Sequence, residues 1–362
     1  MFVHSELAYG TKLATKSCVG LSMFPFAFFA LWALVLIWPL PLYLLTHIPL
    51  GNEKVGTVPF FNLWTLQWNI DQFTHGYPNY WDAPIFAPLT GTFAFSDIQP
   101  LSAFLAMPFW LGLQSAALGY NSTVILFLTL NGWFAYSLLR QWRRSFLVAL
   151  STGLIMQSLP FVAGQMGVLQ LIAIFGFLWS LLFLSRFLVQ SSSGKASWPT
   201  VSCLALGPPI TFFTCSYYGL FSLLFLSLAF VFQLRPEHFK PKTLGVFLLA
   251  GLLSLILTGP LLWVQHEKLS QYGFGRTLQT IEENSARLSY YTSFLDYNLF
   301  YGQILGIRSG SGERLFPGIG LMLLATLGLF RAVAPTNQIV SDHGRYHCLD
   351  SLFGTAVSSR RF

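Results

Sequence analysis

Apolar residues in this chain run in long blocks, without the alternation of a half-buried strand. The blocks cover roughly residues 23–48, 101–118, 121–139, 146–163, 168–185, 199–216, 217–233, 244–265 and 317–330. Most reach or approach the roughly 18 uncharged residues that carry a helix across a bilayer. In lipid each segment must satisfy its own backbone polar groups, so helices are the element to expect. The pattern predicts an all-α fold, a polytopic membrane helix bundle with the lipid bilayer as its first partner. Composition agrees: 54% of residues are hydrophobic, 17% aromatic and only 9% charged, and mean hydropathy is +0.59. Residues 23–48 are too long for the core of a cleavable signal and read as a signal anchor.

Charge decides how many blocks cross. The net charge of +7 does not point to nucleic acid, because Lys and Arg fall in short clusters at block ends, where topology signals lie. If all nine blocks cross from a cytoplasmic N-terminus, the Arg140, Arg143, Arg144 cluster and the segment "RPEHFKPK" land outside, against the positive-inside rule. Block 101–118 follows Pro100 and contains Pro108 and Gly112, so it can instead lie as an interfacial or re-entrant element. With that block held out, 14 of the 20 basic residues fall inside and 9 of the 13 acids outside. The expectation is therefore about 8 spans. Residues 1–22 form a cytoplasmic N-terminus and 23–330 the transmembrane domain. Two long outer loops, about 49–100 and 266–316, share one face, and 331–362 form a polar C-terminal tail.

These loops hold the candidate chemistry, since no Asp, Glu, Lys or Arg lies within any of the eight spans; carriers and pumps place such groups at mid-membrane. Glu53, Asp71, Asp82 and Asp97 stand in the first loop as potential general bases or cation ligands. Trp64, Trp68, Asp71 and His75 follow one another at i, i+4, i+7 and i+11, which places an acid and a histidine on one aromatic helix face. Such a face stacks sugars, or anchors at a headgroup as interfacial Trp and Tyr do. In the second loop Arg276, Arg287 and Arg308 are suited to grip phosphate, although Glu283 and Arg287 also have the i, i+4 spacing of a surface ion pair. "SGSGERLFPG" lacks the lysine and the strand–loop–helix setting of a nucleotide P-loop. Four scattered cysteines have no metal or redox spacing, and His343, His347 and Cys348 in the tail lack a partner pair.

Three stretches, "VPFFNLWTLQWNIDQ", "YWDAPIFAPLTGTFAFSD" and "NSTVILFLTLNGWFAYSLLRQW", with "YYGLF" and "GERLFPGIGLMLLATLGLF" further on, resemble a bacterial multispanning family related to GT-C glycosyltransferases. The resemblance covers roughly residues 24–330. It implies a GT-C-like fold in the bacterial inner membrane. It also implies an inverting transfer of a sugar from a polyprenyl-phosphate donor to a glycan, lipid or protein acceptor on the extracytoplasmic face. By that resemblance Asp97, Asp71 and Glu53 are the catalytic candidates, one of them a base or linked to a divalent cation such as Mg or Mn. Trp64, Trp68, His75, Asp82 and the three arginines are then substrate-binding candidates. The first span ends in "GNEK" where the family carries an acidic pair, and the composition changes before Phe362. Those departures leave open a non-catalytic lipid- or glycan-binding scaffold, with a transporter as the third reading.

Overall fold

The computed structural model describes residues 23–333 apart from 54, 193–195, 235–237, 274, 284, 295–298 and 307–314. The expected cytoplasmic N-terminus (1–22) and most of the polar tail, including His343, His347 and Cys348, lie outside the described residues, as does Arg308. Among those described there are helices and turns and no strand. The chain divides into the units Met1–Leu315 and Phe316–Phe362. The described helix of the second unit is Ile319–Val333.

The first apolar block is not one helix. α1 spans Met23–Leu36, and beyond it Pro39 and Pro41 break the block into turns and a 3-10 turn, Leu40–Tyr43. Proline supplies no amide donor, so an α-helix cannot run through both. The carbonyls of Leu44 and His47 are taken up by the Asn121 side-chain amide at 2.9 and 2.7 Å. α2 spans Thr57–His75 and ends at Gly76 in the left-handed conformation (φ 79°), as a glycine C-cap allows. Sequence spacing located this helix but made it too short.

α3, Pro100–Leu113, begins on a proline. At about 1.5 Å per residue it is about 21 Å long, short of the about 30 Å of a bilayer's hydrocarbon core. α4, Ala116–Gln141, and α5, Phe146–Gln157, form an antiparallel pair, each started by a serine cap, Ser115 and Ser145. Their close approach needs Gly132 and Gly153. A Cβ on Gly153 would stand 2.6 Å from the Gly132 carbonyl and 2.3 Å from the ring of Phe29, which is inserted between them. Pro160 interrupts the same block after α5, leaving the short α6, Pro160–Gly164. α7, Phe175–Ser192, α8, Trp198–Thr214, α9, Ser216–Gln233, and α10, Pro241–Gln271, complete the bundle, and α11, Leu278–Glu283, follows. The single extended residue Cys215 separates α8 from α9. α12 is Ile319–Val333.

Five segments are long and apolar enough to cross a membrane among the described residues: 116–141, 146–164, 169–192, 216–233 and 241–271. Their packed sides make two buried clusters. One joins Leu66 and Ile70 of α2 to Ala103, Val124, Phe127 and Phe175. The other joins Leu184, Phe187, Leu204, Leu226 and Phe230 to Ala250 of α10. The opposite sides are apolar too, with Phe221, Leu224 and Phe232 on α9 and Leu248, Leu252 and Ile256 on α10 exposed. An apolar surface this extensive suits hydrocarbon and not water.

Hydrogen bonds between distant residues define two ends. At one, which we call the loop end, Ser115 Oγ reaches Leu45 O, the Asn52 amide reaches Gly164 O, and Ser216 reaches Asp97. At the other, the arginine end, Arg186 reaches Gln141, and Ser185 reaches Gln233. α3 begins beside α2, where Gln99 bonds Asn62, and leads into Ser115 at the same loop end.

Candidate functional site

The loop end is built on α2. Its inward face carries Asn62, Thr65, Leu66, Asn69 and Ile70, all buried. Asn69 is the tie point: its amide donates to Thr65 O at 2.8 Å and to Ile98 O at 2.7 Å, and its oxygen accepts from Tyr80 OH at 2.7 Å. One asparagine thereby holds the loop that runs from Gly76 to Gln99 onto its own helix.

The aromatic face of α2 is packed and not open. Phe61, Trp64 and Trp68 stack in series, with ring centroids 5.6 and 6.4 Å apart. Phe93 is fully buried and meets Trp64, Trp68 and Tyr80 edge-on at 6.1, 6.3 and 5.3 Å, within the preferred range for such pairs. The Trp68 indole N–H donates to Tyr80 O at 3.0 Å. Burial pushes the Tyr80 hydroxyl well above its ordinary pKa. The two tryptophans expected to stack on a ligand are half-buried and pack against the core of a small cap, Ala83, Phe93 and Ile98.

The expected carboxylates come apart. Asp71 is exposed, and His75, also exposed, turns its Nδ1 to the Asp71 backbone carbonyl at 2.7 Å, closing the helix end. Asp82 is exposed and its Oδ1 accepts from the Gly91 amide at 2.6 Å, which fixes a turn. Glu53 is half-buried in a tight segment: the neighbouring Asn52 amide donates to Gly164 O, and a Cβ on Gly51 would fall 2.6 Å from that same oxygen.

Asp97 stands where three elements meet. Its Oδ1 accepts from the Ser216 amide at 2.9 Å and the Ser216 hydroxyl at 2.8 Å, at the first turn of α9. A carboxylate there is favoured by the unpaired amides and the positive end of the helix dipole. Oδ2 is shielded from solvent and makes no hydrogen bond. Burial raises the pKa of the carboxyl above the ordinary 3.8, and the hydrogen bonds from Ser216 and the Cys215 thiol oppose that rise. The next residue but one, Gln99, is buried in the left-handed conformation and donates to Asn62 Oδ1 at 2.8 Å.

α10 closes the site from the side. Its 31 residues run to about 46 Å, so about 16 Å extends past a bilayer core. That extension docks on the first loop: the Tyr272 hydroxyl accepts from the Thr90 amide and donates to Thr90 O, at 3.1 and 3.0 Å. Phe95 meets the Tyr272 ring edge-on at 5.4 Å. Thr90 and Tyr272, from the two segments expected to share one face, are thus in direct contact. Sequence reasoning missed Ser216, Tyr272 and Asn69. Only Ser216 carried a signal, its place at the junction of blocks 199–216 and 217–233.

Arg276 and Arg287 are exposed. The expected Glu283–Arg287 pair does not form because α11 stops at Glu283, whose Oε1 instead accepts from Gln279 at 2.9 Å. Among the described residues no hydrogen bond or ion pair joins either arginine to Asp71, Asp82 or Asp97. Nor does any group of three or more His, Cys, Asp or Glu side chains gather to hold a metal. The described carboxylates therefore do not fit a divalent-cation site, and no step is derived through one.

Apolar helices of membrane length, with the polar loops gathered and folded at one end, define an all-helical membrane protein. Residues 72–360 match the model of a family described as a domain of unknown function, DUF6311, and the chain belongs to that family. No curated protein and no solved structure matches it.

Proposed function

We propose that this chain is a membrane glycosyltransferase that moves a sugar from a polyprenyl-phosphate donor to an acceptor hydroxyl on the extracytoplasmic side of a bacterial inner membrane. In this reading the bundle crosses seven times up to Gln271, α12 is an eighth span, and α3 does not cross. The attachment of both ends of α3 at the loop end supports that arrangement. The arginine end is then cytoplasmic, as the positive-inside rule asks.

The observation that carries the proposal is Asp97. One oxygen is committed to α9 and the other is uncommitted, at the junction of the folded loop, the α8–α9 break and α10. A carboxylate with raised proton affinity is a stronger base. Oδ2 would take the acceptor hydroxyl proton as the acceptor oxygen bonds to the anomeric carbon. The bond from that carbon to the phosphate oxygen breaks on the opposite face, and the electron pair leaves with the polyprenyl phosphate. Backside displacement inverts the centre.

A second reading, a glycan- or lipid-binding scaffold without catalysis, is favoured by the use of Oδ1 as a structural tie to Ser216. One experiment separates them: mass spectrometry of polyprenyl-linked sugars and surface glycans in the native strain, a deletion, and the deletion complemented with Asp97→Asn. The transferase reading expects a lipid-linked sugar to accumulate in the deletion and Asp97→Asn, which keeps an acceptor for Ser216, to fail to restore the glycan. Full restoration by Asp97→Asn would rule out the catalytic role. A deletion with unchanged lipid-linked sugars and glycans would end the transferase reading altogether.

A further inference from the structure

At the arginine end, the termini of α4, α7 and α9 enclose a cavity of about 440 Å³. One wall is polar and built. Ser185 and His238 are each more than nine-tenths buried. The Ser192 hydroxyl lies 2.8 Å from His238 Nε2, and Ser185 donates to Gln233 Oε1 at 3.0 Å. The Trp142 indole N–H points at the Ser185 hydroxyl from 3.4 Å. The other wall is apolar, with Val189 and Phe232 being 63% and 85% exposed on the outside of the bundle. A cavity with one polar wall and one apolar wall open to the side suits an amphiphile and not a wholly soluble molecule.

The described charges around it have one sign; Glu237, beside His238, lies outside the described residues. Arg186 Nε donates to Gln141 Oε1, a lining residue, at 3.3 Å, and its guanidinium lies 5.1 Å from the Phe183 ring centroid. Arg140, Arg143 and Arg144 flank Trp142 and are exposed. From Ile98 to Pro236 the sequence contains no Asp or Glu. The carbonyl ends of α4, α7 and α9 contribute about half a negative charge each, which four guanidinium groups outweigh. Basic pockets between membrane helices recognise anionic headgroups through this combination of charge and donors.

We propose that this cavity binds an anionic phospholipid. The headgroup phosphate sits against Ser185, Gln141 and His238 under the arginines, and an acyl chain lies along Val189 and Phe232. The site is at the opposite end of the bundle from Asp97, and its existence does not depend on the transferase reading. The test uses the full chain purified in detergent, with binding followed by native mass spectrometry and thermal shift. The probes are phosphatidylglycerol, phosphatidylcholine and soluble glycerol phosphate. Phosphatidylglycerol is expected to bind about tenfold or more tightly than either of the others. Ser192→Trp, which fills the cavity from an exposed position, and the double variant Arg143→Gln/Arg144→Gln are each expected to weaken it about tenfold. Ligand-free melting curves establish that both variants are folded, and should the tryptophan variant not fold, the arginine pair decides. Equal binding of the two lipids, equal binding of glycerol phosphate, or native-like binding by the folded variants would each overturn the proposal.

Discussion

Residues 57–98 and 275–306 both follow apolar blocks, both are rich in aromatics and both carry acids, yet they place their rings differently. In the first segment Phe61, Trp64 and Trp68 recur along a 19-residue helix, and Phe93 returns from the loop to close over them. In the second, α11 has six residues, and Leu278, Leu288, Tyr291 and Phe300 are largely exposed. Phe294, buried beside Tyr301, is its described aromatic anchor. Helix nucleation is costly, so a short helix forms only where packing supports it. Ring content alone therefore does not make a loop a folded unit. Rings must repeat on one face and meet a partner.

The sharpest break of this comparison is Phe93→Ala. It empties a fully buried site among three aromatic rings, and large-to-small changes of this kind cost about 3–5 kcal/mol. The cap should lose its protection first: limited proteolysis is expected to cut between residues 77 and 95 in the variant and not in the parent. The same substitution at Phe300, which is exposed, should leave cleavage there unchanged. Equal cutting of both segments in the parent would erase the distinction between them.

Asn69→Ala comes next. It removes three hydrogen bonds and leaves the buried Ile98 carbonyl without that donor, each lost bond being worth about 1 kcal/mol net. Thermal unfolding in detergent should show a loss of about 2–3 kcal/mol. A loss below about 0.5 kcal/mol would mean the helix and its loop are held by the rings alone.

Much of this was legible in the sequence. The block pattern gave an all-helical architecture, and the spacing of Trp64, Trp68, Asp71 and His75 located α2, because helical periodicity depends on neighbours only a few residues away. Charge clusters led to the expectation that 49–100 and 266–316 share one face; the structure brings Thr90 and Tyr272 from these two segments together. Reading 23–48 as one helix failed because hydropathy does not register the two prolines, which break the backbone without changing apolarity. The site was less legible. Asp97, Asp71, Asp82 and Glu53 are four similar loop acids in the sequence. What separates Asp97 is a partner 119 residues away, Ser216, and no local pattern encodes that pairing. Trp64 and Trp68, candidates for stacking a sugar or anchoring at a headgroup, are half-buried, and their contact with Phe93 could not be read from the sequence.

Asp97 also makes a prediction about pH. Its folded-state pKa lies above the ordinary 3.8 of an unfolded chain. Below the ordinary value both states hold the proton and the folded form keeps its full stability. As pH rises from about 4, the unfolded state loses the proton first. Stability therefore falls until the folded-state pKa is passed. Asp97→Asn cannot titrate and should lack this component. Melting temperatures of the two proteins, compared from pH 3.5 upward, should diverge in favour of the asparagine form, other acids cancelling in the difference. Parallel curves would show that Asp97 is no more buried in solution than Asp71.

The smallest effect belongs to the second segment. Arg276 and Arg287 are exposed, and their side chains make no hydrogen bond or ion pair among the described residues, so replacing either with Ala should change stability by less than about 0.5 kcal/mol. That small number gives the pair its diagnostic value. A guanidinium without a partner among the described residues is available to a phosphate, and if these arginines grip the donor, the double variant loses sugar transfer while melting as the parent does. Phe93→Ala would lose activity through the fold, and Arg276→Ala/Arg287→Ala without it. Unchanged transfer in the double variant would leave the phosphate to be held elsewhere and would confine the chemistry of the loop end to the first segment, Cys215–Ser216 and the end of α10.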